Sequence, residues 1–221
     1  PENQDSDFTW AEFVKRTNGE LVAGWGNLVN RTATMIHRNF GQIPAAAELN
    51  ADDVALLATV NEGFATVGAL IERHRQKNAL AEVMKIVAEV NKYVTDQAPF
   101  KLKADDERER LGTILHVIAQ AVSDCTTMLS PFLPHSSNLV HAAMGGTGQI
   151  APMPRLEEVD DLDGGDGYPI ITGDYSATPR WESRPIKVSA PIGKPSPIFT
   201  KLDPSVVDDE LRRLDPGAGS E

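Results

Sequence analysis

Apolar side chains recur at helical spacing from the start of the chain to the Gly145-Gly146 pair, and that order is lost afterwards. Thr9 followed by Glu12 is the pattern in which a hydroxyl and a carboxylate each satisfy an unpaired backbone N–H, so a helix is expected to begin there. Asn18-Gly19 is where that helix is open to interruption, although a glycine inside a helix costs only about 1 kcal/mol. Over residues 20–40 the signal strengthens: Leu21, Trp25, Leu28, Val29, Thr32, Ile36 and Phe40 share one face, and Gly41 supplies the stop.

Asn50, Asp52 and Asp53 predict a second helix start, with carboxylates set against the positive end of the helix dipole. A third helix runs from about Lys77 through Leu80, Val83, Met84, Val87 and Val94, and ends before Pro99. A fourth opens on the acidic "DDERER" and is stopped by Pro131 and Pro134; a short fifth spans 136–143. The expected fold is all-α, an antiparallel helix bundle over residues 1–148. Residues 149–221 hold most of the prolines and an acidic run, and neither a helix nor a regular sheet fits them. Yet Tyr168, Ile170, Ile171, Trp181, Ile192, Ile198 and Phe199 are too many large apolar groups for a solvated linker. An irregular extended strap lying on another surface, closed by a small helix from Pro204 to about Leu214, is the expectation.

Composition narrows the function. At 221 residues and 41% hydrophobic the chain can bury a core. A net charge of −11 argues against wrapping duplex DNA but allows a local basic face. No unbroken apolar run is long enough for a membrane span, and the first residues lack the features of a signal peptide, so a cytoplasmic location without membrane contact is expected. The acidic Pro-Glu-Asn start reads as a boundary inside something longer. The single Cys125 sits among apolar neighbours, and the five histidines show no metal-ligand spacing, so no metal site is expected. "PHSSNLVH" lacks a nucleophile elbow, and "GGTGQ" lacks the lysine and preceding strand of a phosphate loop. The "EEVDD" run reads as a solvated acidic loop. No catalytic residue and no cofactor are assigned to this chain.

Two segments remain. At about 100° per residue Asn27, Arg31, Thr34 and Arg38 form a stripe opposite the apolar face, with the Asn27 amide and Arg31 guanidinium about 6 Å apart at Cβ. This is either an ordinary wet surface or a set of fixed donors matched to an unpaired base edge. In "NKYVTDQAPFKLK", Pro99 ends a helix and Phe100 follows it, flanked by Lys101 and Lys103. That aromatic is either a staple on the core or a platform on which a base stacks beside phosphates. Arg38, Lys85, Lys92, Lys101 and Lys103 are candidates for attraction to an RNA backbone.

At these segments the sequence resembles bacterial methionyl-tRNA synthetase in the part that follows its catalytic domain. "PENQDSDFTWAEFVKRTNGELVAGWGNLVNR" resembles the entry into the anticodon-binding helical domain of this class I synthetase, and "NKYVTDQAPFKL" its second anticodon segment. "LSPFLPHSSNLVH" resembles the end of its bundle, and "ATPRWESRPIKVSAPIGKPSPIFTKLD" the tail that folds back toward the catalytic core. The resemblance implies that Asn27 and Arg31 read the first anticodon base, cytosine, and that Phe100 after Pro99 stacks on it where the family usually has tryptophan. It implies tRNA(Met) and the catalytic domain of the same enzyme as partners, with the intact ligase joining methionine to tRNA(Met). Neither a HIGH-type nor a KMSKS-type signature occurs here, so this chain alone should be inactive and ATP with Mg2+ would belong to the catalytic domain. The alternative is a stand-alone helical module that binds tRNA or a protein partner.

Overall fold

The computed structural model describes residues 7–173 and 180–214. Thr9 caps the first helix as expected, its hydroxyl accepting the Glu12 backbone N–H at 3.2 Å. Glu12 does not complete the reciprocal bond, because its carboxylate accepts from Arg16 Nε at 2.8 Å and pairs with Lys15. Helix α1, Trp10–Arg16, continues through a π-helical segment, Thr17–Gly26, into α2, Asn27–Asn39. Asn18-Gly19 thus widens the helix and does not interrupt it. The Asn27 N–H reaches the Val22 carbonyl five residues back. Gly19, Gly24 and Gly26 weaken α-helical winding here, and tertiary contacts hold the wide form. Gly24 O accepts the Asn91 amide at 3.4 Å, and a Cβ on Gly26 would come within 3.0 Å of the Phe199 ring.

Gly41 ends α2 with φ +68, a conformation open to glycine at little cost. Helix α3, Ala51–Glu72, begins with a full capping box: the Asn50 side chain accepts the Asp53 N–H at 2.9 Å and the Asp53 carboxylate accepts the Asn50 N–H at 3.0 Å. Helix α4 spans Gln76–Gln97, and α5, Arg108–Leu129, follows a 3-10 turn at Asp105–Glu107. Pro134 opens α6, Pro134–Ala143, at a position where its missing N–H is not needed. It was expected only as a stop, and the helix therefore starts two residues early.

Helix α5 is the axis of the bundle, with Leu115, Val117, Ile118, Ala119, Ala121 and Val122 fully buried and α2, α3, α4 and α6 against it. Trp25, Leu28, Val29 and Ile36 supply the α2 side of the same core. By length and composition alone α3 is apolar enough to cross a membrane, although it holds no unbroken apolar run of that length. Asn61 and Glu62 interrupt its run, and its buried side lies on α4 and α5.

The tail departs from the expectation that no regular sheet fits it. Strands β1, Pro154–Val159, and β2, Tyr168–Gly173, form an antiparallel hairpin with Leu156 opposite Ile171 and Val159 opposite Tyr168. The alternation that announces a strand arises when one face is buried. In β1 only Val159 is even partly covered, so no such alternation was imposed on the sequence. Residues 180–202 then cross the bundle itself. The Trp181 indole N–H donates to the Phe64 carbonyl at 2.7 Å, with the two rings edge to face. Ile43 exchanges backbone bonds with Ala190 and Ser189, and Ile192 is buried. Gln120 and Asp124 bind Ser183, Arg184 and Ile186. Burial, offset in part by bonds from Gln120 and Ser183, pushes the Asp124 carboxyl above its ordinary pKa. Helix α7, Val206–Leu214, lies beside α1. Ala177, Thr178 and Pro179 of the tail motif lie outside the described residues.

Candidate nucleic-acid interface

The outer stripe of α2 exists as expected. Asn27 and Arg38 are exposed, Arg31 and Thr34 half-buried, while Leu28, Val29, Thr32, Ala33 and Ile36 turn inward. Thr32 keeps its hydroxyl on the Leu28 carbonyl at 2.8 Å. Among the described residues neither the Asn27 amide nor the Arg31 guanidinium has a hydrogen-bond or ion-pair partner. Their donors and acceptor are free for a ligand.

The second segment is built by a backbone reversal. Helix α4 stops at Gln97, and Ala98 takes the left-handed conformation, φ 43 and ψ 53. For a residue with a Cβ this costs roughly 1–2 kcal/mol. Pro99 starts a 3-10 turn, Pro99–Lys101, and is buried; Phe100 is 50% exposed. Pro99 therefore anchors the turn from below, and the ring it presents is no buried staple. Lys101 and Lys103 are exposed on the same loop, whose backbone N–H groups at Lys103 and Ala104 are both held by Glu107 at 2.9 Å. Those two bonds keep the Glu107 carboxyl below its usual pKa.

Two ties fix α2 relative to this turn. The Asn91 amide on α4 donates to Gly24 just before α2. At the far end Arg108 donates to the Asn39 carbonyl at 2.9 Å and lies 4.7 Å from the centre of the Phe40 ring. Between these ties, the stripe from Asn27 to Arg38 runs toward the end of the bundle where the 99–107 loop joins α4 to α5. Arg38, Lys92, Lys101 and Lys103 are exposed and have no acidic partner among the described residues. Lys85 differs, being paired with Glu82 at 3.3 Å.

A buried charge cluster went unread in the sequence. Asp53, its side chain fully buried, receives Arg110 Nη1 at 2.5 Å and Nη2 at 2.9 Å, and also the Tyr93 hydroxyl. Burial alone would raise the Asp53 carboxyl; the bonds from Arg110, Tyr93 and the Asn50 N–H outweigh it and hold the pKa below its ordinary value. Burial and the bond to Asp53 push the Tyr93 phenol up. The Asn50–Asp53 cap was legible, but Asp53's ionic partner stands 57 residues away with no local signal.

Other candidates lie elsewhere. Cavities of about 300 and 330 Å³ sit between α5, α6 and the tail, and none of the stripe or turn residues lines them. The Ser136 hydroxyl is spent on the Leu133 carbonyl at 3.3 Å, and Cys125 is buried with its thiol pKa pushed up by burial. Among the described residues no group of three or more His, Cys, Asp or Glu forms a metal-ligand set.

Residues 43–171 match the family model for the anticodon binding domain of methionyl tRNA ligase, and residues 1–33 the model for tRNA synthetases class I (M). The bundle therefore belongs to a class I tRNA synthetase, with α3 to α6 inside its anticodon-binding match and Asn27 and Arg31 of α2 inside the class I (M) match. The chain is 66% identical over 215 residues to a methionine–tRNA ligase of Nocardioides sp., which covers 97% of the chain and 36% of that relative. It is 59% identical over 216 residues to the same ligase of Salinispora arenicola, again 97% of the chain and 36% of the relative. The free-state crystal structure of Mycobacterium tuberculosis methionyl-tRNA synthetase shares the fold, with a TM-score of 0.72 at 21% identity over 91% of this chain and 36% of that one. The chain belongs to the methionyl-tRNA ligase family. It spans 36% of the length of these curated relatives.

Proposed function

We propose that this chain reads the CAU anticodon of tRNA(Met). Asn27 and Arg31 bond the edge of the first base, cytosine, while Phe100 stacks on its face and Arg38, Lys92, Lys101 and Lys103 attract the flanking phosphates. The observation that carries this reading is that an amide, a guanidinium and a half-exposed ring stand without partners, the ring inside the 43–171 span that matches an anticodon-binding family model and the other two on α2, which packs against that span. Cytosine offers a donor and acceptors, which an amide and a fork of N–H groups complement; a wrong base leaves them unpaired, at about 1–3 kcal/mol per bidentate contact. A loop needs few cations, so the mechanism tolerates a net charge of −11. Phe100 offers less stacking area than the tryptophan usual in the family and no indole N–H.

In this reading the intact enzyme ligates methionine to tRNA(Met) in the cytoplasm, and ATP with Mg2+ is handled by its catalytic domain; no residue described here is assigned to them. The tail does not supply all of its apolar surface to its own bundle. Leu156 and Ile171 on the hairpin stay 76% and 72% exposed, and near the chain start Phe8 is 65% exposed. These surfaces suit docking on that catalytic domain. The family match favours this function over a protein-interaction module. Titration of the chain with a CAU anticodon stem-loop and with loops altered at the first base tests it: CAU should bind more tightly, and equal binding would remove base readout.

A further inference from the structure

The turn that presents Phe100 is tied to the buried Asp53. Arg110, at the start of α5, grips the Asp53 carboxylate with both terminal nitrogens, and its Nη2 also reaches the Gln97 side-chain oxygen at 2.7 Å. The Gln97 side-chain nitrogen donates to Asp52 at 3.0 Å. Gln97 is the last residue of α4, so both polar atoms of its side chain are engaged at the point where the helix stops. Ala98 follows at φ 43, then the buried Pro99, then Phe100. Most helices that stop this way use glycine at the left-handed position. An alanine there is held only while the surrounding structure dictates it, and here the last helical residue is fixed from α3 and α5 together.

We propose that Asp53, Arg110 and Gln97 are positioning residues that set the pose of the Phe100 ring against the base faced by Asn27 and Arg31. The inference rests on the anticodon-reading function above. Asp53 holds the Arg110 fork, the fork holds Gln97, and Gln97 fixes where the backbone reverses. With its charge engaged by Asp53, Arg110 acts on the RNA through the turn and not as a phosphate ligand. A ring that must lie flat on one base gains its selectivity from a fixed pose, because stacking alone tolerates every base.

Gln97 is half-buried at a helix end, so its variants should fold. The test uses the 221-residue chain with Gln97→Met, which keeps the shape but loses both hydrogen bonds, and the double variant Gln97→Glu with Asp52→Asn, which keeps the acceptor for Arg110 and lets the amide at position 52 donate in place of Gln97. Measured are the thermal midpoint, affinities for a CAU stem-loop and for loops altered at the first base, and the 19F signal of 4-fluorophenylalanine at position 100. Gln97→Met should lose roughly 3- to 10-fold of the preference for CAU and shift or broaden the fluorine signal, and the double variant, in which both bonds are re-formed, should restore both. If the wild-type chain prefers CAU and Gln97→Met keeps that preference with an unmoved fluorine signal, the positioning role is wrong while the reading stands. An equal loss of affinity for all loops with a lowered midpoint also overturns it, leaving a purely structural network. If the wild type binds all loops alike, the anticodon reading itself fails and this inference with it.

Discussion

Asn18 and Asn27 lie on one continuous helical stretch, and their surroundings differ completely. The Asn18 side chain donates to the Leu202 carbonyl at 2.9 Å and accepts the Leu202 N–H at 2.8 Å, so the tail uses both of its polar atoms. Asn27 has no partner among the described residues. Trp181 and Phe100 repeat the contrast. Both rings are partly exposed, at 37% and 50%, but Trp181 is fixed by its bond to Phe64 and its edge-to-face contact there, whereas Phe100 makes no ring contact among the described residues. Residue type does not separate the member of each pair that is spent on the fold from the one proposed to contact RNA. Unspent bonding capacity on a fixed backbone does.

The contrast can be broken at several strengths. Asp53→Ala should have the largest effect, about 2–4 kcal/mol of stability by urea unfolding, somewhat under the usual cost of stripping a buried ion pair because Arg110 keeps some contact with water. Trp181→Ala should cost about 2 kcal/mol and speed proteolysis of the tail, with affinity for the CAU loop unchanged; a matching drop in affinity would erase the division between the two regions. Arg31→Ala and Phe100→Ala should do the reverse, each weakening CAU binding by about 1–3 kcal/mol without moving the unfolding midpoint. Phe100→Trp should bind at least as well as the wild type. Ala98→Gly should be smallest, gaining about 0.5 kcal/mol of stability as relief of the left-handed strain outweighs the added freedom of the unfolded chain.

Acid distinguishes the regions by sign. The lowered Asp53 pKa contributes stability that is complete above the unfolded carboxyl value, about 4, and is lost as pH falls through the folded value. Asp124, under the tail, has a raised pKa, so its folded form takes up the proton first and stability rises as pH falls through that raised value toward the unfolded one. Urea unfolding across pH should therefore show that Asp53→Asn removes an acid-side fall and Asp124→Asn removes a rise at higher pH.

Much of this was legible in the sequence. The Asn50 cap, the apolar faces of the helices, the Gly41 stop and the outward stripe of Asn27 and Arg31 all follow from local spacing, and the structure has them. What escaped is non-local or lacks a marker. Ala98 carries no sign of its left-handed backbone, since glycine or asparagine is the usual signal there. Arg110 reads as one member of an acidic and basic helix start until folding places it on Asp53. The hairpin escaped because neither of its faces lies in a core, and the π-helical winding because glycine predicts weakness in a helix without saying what form it takes.

That winding has a consequence for how length changes are tolerated. A π turn carries more residues than an α turn for the same axial path. Deleting one residue within Thr17–Gly26 should let the helix retighten with Val14 still facing the core before it and Leu28 after it. The same deletion inside Asn27–Asn39 has no slack to draw on and would swing every later side chain by about 100°, turning the outward stripe away from solvent. Relatives that differ by a single residue in this helix should carry the gap ahead of Asn27.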